Sequence, residues 1–125
     1  MNEDSQRITL LADLGERLSA VLEKEFSALV EKNLDLLESL QLQKVDLLSQ
    51  IETAWQGYDT EMASEQDALQ EVRVRMAECK DKHIRNDLLL RRQMETVKNL
   101  LATLTSQSAD PVSYTHLTLP TSSQV

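Results

Sequence analysis

Hydrophobic positions recur every three or four residues from Leu11 to Leu104, and strict alternation is rare. That spacing marks helices with one buried face. Leu11, Leu14, Leu18, Val21, Leu22, Phe26, Leu29 and Val30 form a first run. Asp4 or Ser5 is its expected N-cap, and Glu3 and Asp4 are well placed for the helix dipole. The run continues past Asn33 through Leu34, Leu37, Leu40, Val45, Leu48, Ile51 and Trp55. Its continuity predicts one long helix, with a kink or split near Asn33, a good capping residue, as the alternative. Gly15 falls inside the run and costs roughly 1 kcal/mol relative to alanine. It reads as a tolerated defect rather than as a point of close helix approach.

Gly57 ends the run, and GYDTEMAS supplies turn and cap residues in Gly57, Asp59, Thr60 and Ser64. A second long helix is expected from about Glu61. Leu69, Val72, Met76, Cys79, His83, Asn86 and Leu90 alternate steps of three and four. The step slips between Leu90 and Met94, and Val97, Leu101 and Leu104 resume it. Two long helices joined by a short turn predict an all-α, coiled-coil-like antiparallel hairpin. The stretch from Asn86 to Leu104 has more apolar residues than one seam uses, because Leu88, Leu89 and Leu100 fall beside or outside it. Spare apolar surface on a helix needs a cover, so this helix end is the expected binding site for a partner peptide.

Composition supports the helical reading. Phe26, Trp55, Tyr58 and Tyr114 are the aromatic residues, and both prolines, Pro111 and Pro120, lie near the C-terminus. The 125 residues suit one modest core. A formal charge of -8, from 21 acidic and 13 basic residues, argues against nucleic acid or anionic membrane as the main partner. Cys79 is the one cysteine, so no internal disulfide framework exists. The start, MNEDSQR, lacks signal-peptide features, and no apolar run is long enough to span a bilayer. The expected location is the cytoplasm.

A catalytic reading finds little support. Cys79 and His83 are four residues apart on one helix face, but no further Cys or His lies in the body to complete a zinc site. No glycine-rich turn offers an oxyanion hole or a phosphate cradle. The pair reads as a small buried thiol and a polar seam residue, and Asn86 as a polar residue that fixes register. Arg73, Arg75, Lys80, Lys82, Arg85, Arg91, Arg92 and Lys98 read as a solvated face that pairs in part with the first helix. No enzyme activity, cofactor or metal is expected.

After Ser106 the composition changes, and no Lys, Arg, Asp or Glu follows Asp110. Pro111 to Thr121, PVSYTHLTLPT, closely resembles the translated transposon-end adapter used in preparing sequencing libraries. The expected organisation is therefore a helical domain over residues 1–106 and a disordered tail over 107–125. Residues 111–121 are read as adapter-derived, with the native C-terminus lost near Asp110.

Two segments resemble the FlgN family of flagellar export chaperones. In Asn33–Glu52, the cadence of Asn33, Leu34, Leu37, Leu40, Lys44, Leu47 and Leu48 is similar to the family's polar residue, leucine-rich turn, lysine and leucine pair. Asn86, Leu88 to Leu90, Val97, Leu100, Leu101 and Leu104 are similar to its closing helix. Asp87 departs from that pattern, since a small residue is frequent there. The resemblance implies a cytoplasmic helical chaperone that holds the C-terminal helical segment of hook–filament junction (hook-associated) proteins. Such a chaperone prevents early assembly and delivers its client to the flagellar type III export apparatus. On that implication Leu89, Met94, Val97, Leu100, Leu101 and Leu104 are the expected client contacts, and the protein is a monomer or weak dimer. The alternatives are a homodimeric coiled-coil structural protein and a related chaperone for the filament cap.

Overall fold

The computed structural model describes residues 3–61 and 63–109, and these are helical with no strand among them. Three helices follow in order: α1 (Glu3–Glu31), α2 (Leu34–Trp55) and α3 (Gln66–Ala109). The described chain falls into two compact units, one ending at Leu89 and one beginning at Leu90. The adapter-like residues 111–121 lie outside the described residues, whereas the backbone of α3 continues past Ser106 to Ala109.

The all-α hairpin architecture is present, but the first helix is two helices. Lys32 has φ 58°, a left-handed conformation, and reverses the chain. The amide of Lys32 donates to the Leu29 carbonyl (3.2 Å) and that of Asn33 to the Ala28 carbonyl (2.9 Å). These paired bonds satisfy the last carbonyls of α1 in a Schellman arrangement. Asn33 then starts α2, its side-chain oxygen accepting from the Leu36 amide at 3.1 Å. One residue therefore closes one helix and caps the next. The unbroken apolar pattern across Asn33 reflects two helices with apolar faces rather than one continuous helix.

At the other end of α1, the helix already includes Glu3, so Asp4 and Ser5 lie inside its first turn rather than capping it. The Ser5 hydroxyl donates to Glu65 just ahead of α3. Gly57 adopts φ 74° after α2. Asp59 accepts from the Glu61 amide, and the Gln66 side chain donates to the carbonyls of Thr60 and Ala63. These local bonds occupy the stretch in which a helix was expected from Glu61, and α3 starts at Gln66.

In the unit ending at Leu89, α2 runs antiparallel to α1, since Lys44 meets Glu25 while Gln56 meets Arg7. The first part of α3 runs parallel to α1, since Cys79 meets Gly15, Lys82 meets Ser19 and Asn86 meets Leu22. The core joins Leu11, Leu14, Leu18 and Leu22 of α1 to Leu40 and Leu47 of α2 and to Leu69 and Val72 of α3. Phe26 is half-buried with the Arg85 guanidinium 4.0 Å from its ring centre, and Val30 is exposed. On α2 the buried face is Leu40, Lys44, Leu47 and Ala54, whereas Leu34, Val45, Leu48 and Trp55 are exposed.

Gly15 is a point of close approach, not a tolerated defect. A Cβ there would sit 3.0 Å from Arg75 Cγ and 3.2 Å from Met76 Cε. The missing side chain lets the Cys79 thiol reach the Gly15 carbonyl at 3.6 Å.

A buried polar centre joins the three helices about two turns further on. Glu25 Oε2 accepts from Lys44 Nζ (2.8 Å) and Gln41 Nε2 (2.9 Å) of α2. Its Oε1 accepts from Asn86 Nδ2 of α3 at 2.8 Å. Asn86 Nδ2 also donates to the Leu22 carbonyl, and its Oδ1 accepts from Arg85 Nε. The Glu25 and Lys44 side chains are 4% and 10% exposed. A charge removed from water this far must be paired.

Two stability predictions result. Glu25→Ala leaves the Lys44 ammonium buried without its acceptor and is expected to cost about 3–5 kcal/mol. The double change Glu25→Met with Lys44→Met is expected to cost less than this single truncation, and urea unfolding of both variants measures the difference. Gly15→Leu is expected to cost about 1–3 kcal/mol through overpacking. Gly15→Ala should stay within about 1 kcal/mol of the parent, because Met76 Cε can shift and the helix gains propensity. Equal stability of the leucine variant would show that the helices do not meet closely there.

Candidate partner-binding site

The segment from Leu90 onward is built from residues that favour helix, among them Leu, Arg, Gln, Met, Glu, Lys and Ala. Its threonines bond back along the helix, Thr96 to the Arg92 carbonyl (3.0 Å) and Thr105 to the Leu101 carbonyl (2.8 Å). Between Leu90 and Ser106 no residue is buried. Met94, Val97, Leu100, Leu101 and Leu104 are all more than half exposed. Leu89 is half-buried and belongs to the preceding unit.

Helical spacing places Leu90, Met94, Val97, Leu101 and Leu104 along one stripe, with Leu100 on its flank. Five of the six expected contacts thus form a continuous exposed face, and Leu89 stands apart from it. The same three-four spacing upstream, in Leu69, Val72, Cys79 and Asn86, is buried. One helix therefore presents its apolar face as core in its first half and as surface in its second.

The arrangement offers little to bond chemistry. A groove of about 260 Å³ lies beside α1, α2 and α3 and is lined mainly by leucine, isoleucine and methionine, with Cys79, Lys80 and His83 on the α3 side. Burial pushes the Cys79 thiol up, with the charges of Lys82 and Arg75 pulling weakly the other way. The neutral thiol is a poor nucleophile. His83 is exposed rather than a seam residue, so the two side chains occupy different environments despite their spacing. Among the described residues no three His, Cys, Asp or Glu side chains gather to hold a metal ion. No described helix is long and apolar enough to cross a membrane.

The basic residues of α3 pair in part with α1. Lys82 and Arg85 meet Glu23 at 3.0 and 3.5 Å, and Lys82 also donates to Ser19 at 2.8 Å. Arg75 pairs instead with Glu78 on its own helix. The apolar pattern did not disclose the Glu25 centre or the exposed flank of α2. The available signal was Lys44 at a core position with Glu25 positioned to meet it.

Comparison with protein-family models, curated proteins and solved structures finds no match.

The hydrogen bond from Lys82 holds the Glu23 carboxyl below the usual carboxylate range; partial burial opposes it and the Arg85 charge adds to it. Because the folded value is the lower one, this contribution is present above the unfolded carboxylate pKa and fades as pH falls through the folded value. Glu23 is 48% exposed, so its share is expected to be well under about 1 kcal/mol. Glu23→Gln should lower stability slightly at about pH 7, and the difference should shrink as pH falls through the folded carboxyl's value. Urea midpoints for parent and variant across that range provide the check.

Proposed function

We propose that this protein is a cytoplasmic export chaperone of the FlgN type. In this reading it binds the C-terminal helical segment of hook–filament junction proteins, prevents their early assembly and brings them to the flagellar type III export apparatus. The observation that carries the reading is the exposed face of Met94, Val97, Leu100, Leu101 and Leu104 on a helical segment with no buried residue between Leu90 and Ser106. The resemblance of Asn33–Glu52 and Asn86–Leu104 to that family supplies the client class.

A client helix with an apolar stripe can lie along this face and remove both stripes from water, at about 25 cal/mol per Å² of apolar area. The backbone of this face is already helical within α3. The entropic cost of ordering then falls mainly on the client. Arg91 and Lys98 border the stripe and can orient a client that carries acidic flanks.

Titration calorimetry of the purified protein with C-terminal segments of hook–filament junction proteins tests this function. Val97→Asp or Leu100→Asp is expected to weaken binding at least about tenfold. Both positions are exposed, so the circular dichroism spectrum should not change. Binding retained by either variant would place the site elsewhere. Failure of the parent protein to bind any such segment would remove the client assignment.

A further inference from the structure

α2 carries a second apolar seam that the bundle leaves open. Leu34, Glu38, Gln41, Val45, Leu48, Glu52 and Trp55 follow at steps of four and three, with Gln41 turned to the Glu25 centre and the other six exposed. Leu34 is 74% exposed and Val45 62%, and Leu48 and Trp55 are also exposed. This spacing suits a further helix lying alongside. Two of the seam positions, Glu38 and Glu52, are acidic and exposed.

The segment from Leu90 has the complementary character. Its stripe also steps by four and three, and Arg91, Arg92 and Lys98 against Glu95 make it basic. The contrast extends along the chain: residues 1–65 hold five basic and fourteen acidic residues, and residues 66–109 hold eight and six. α3 has neither glycine nor proline from Gln66 to Ala109 and is one helix over that range. A second copy is therefore the occupant that can bring a basic stripe onto an acidic seam.

We propose that two copies of this protein associate reciprocally, the Leu90–Leu104 stripe of each lying on the α2 seam of the other. Reciprocal exchange is closed and uses each surface once per copy, so it ends at a dimer. Apolar contact supplies the affinity, and the opposed charges select this pairing over a like-charged one. The same stripe cannot hold another helix while it is covered, so a partner that binds it must compete with the second copy. The association does not depend on what that partner is.

Sedimentation equilibrium of the full chain, alone, tests the pairing. The parent is expected to show a reversible monomer–dimer equilibrium that weakens with added salt. Reversing the stripe's flanks (Arg91→Glu and Lys98→Glu) should weaken the dimer about tenfold or more, and so should reversing the seam (Glu38→Lys and Glu52→Lys). An equimolar mixture of the two variants is the decisive measurement. Stripe meets seam with opposite charges at both contacts of the mixed dimer, so the mixture should recover parent-like association.

A strictly monomeric parent would overturn the proposal, as would a mixture that stays monomeric while both variants keep the parent's circular dichroism spectrum. A tighter dimer between the stripe-reversed variant and the parent would instead show stripe pairing with stripe. Loss of client binding without loss of this equilibrium would count against the proposed function alone.

Discussion

Glu25 takes hydrogen bonds from Lys44 and Gln41 on α2 and from Asn86 on α3, and the alignment of the three helices depends on this buried carboxylate. Leucine-rich faces alone fix alignment weakly, because a slide of one helical turn brings leucine against leucine again. Such a slide moves Lys44 about 5.4 Å along its axis and leaves two charges buried without partners. The penalty for unpaired buried charge is several kcal/mol, a large part of the stability of a small domain. Apolar burial favours association of the helices, and the polar centre selects one register among several. Asn86 has a part in this, since its amide donates across to both the Leu22 carbonyl and Glu25 of α1 and no other register supplies both partners.

Close approach at Gly15 works with that centre. It brings α1 and α3 together where Cys79 is buried, and the polar centre holds them two turns or so further along. Between the two, Lys82 and Arg85 reach across to Glu23 from more exposed positions and add little individually. The first part of α3 is thus tied by sterics at one level and by charge at another.

Helix class was legible in the sequence because three-four periodicity and a proline-free body leave few other options. The reversal at Lys32–Asn33 was legible only as the alternative, through Asn33 as a cap, because its stop signal is a left-handed lysine held by backbone bonds, where a glycine would have announced it. The buried face of α2 was misplaced for a related reason. Reading apolar residues alone favours Leu34, Val45 and Leu48, while the actual face is centred on Lys44, whose charge argues for the surface until Glu25 is placed opposite. In the candidate site, the excess of apolar residues was legible in Leu88, Leu89 and Leu100, but the exposure of Met94, Val97, Leu101 and Leu104 was not, because periodicity reveals a stripe and not what covers it. Leu89 was not separable from them, because adjacency in sequence does not tell which side of a structural boundary a residue occupies.

The two open faces share a physical origin in how apolar residues are distributed among helices of unequal length. α3 has 44 residues, against 29 in α1 and 22 in α2, so more of its apolar stripe exists than the shorter helices have facing positions to cover. α2 has the opposite imbalance: it is short, but it bears apolar residues on a second side, and Lys44 occupies the centre of the side that is buried. A chain with spare apolar surface remains dispersed only if charge opposes indiscriminate contact. Here the two surfaces carry opposite charges, Glu38 and Glu52 in the α2 seam and Arg91 and Lys98 beside the α3 stripe. Like faces repel and unlike faces attract, so the charge pattern restricts each surface to a partner of the other sign. That restriction turns an apolar excess, which by itself would favour aggregation, into a capacity for selective helix binding.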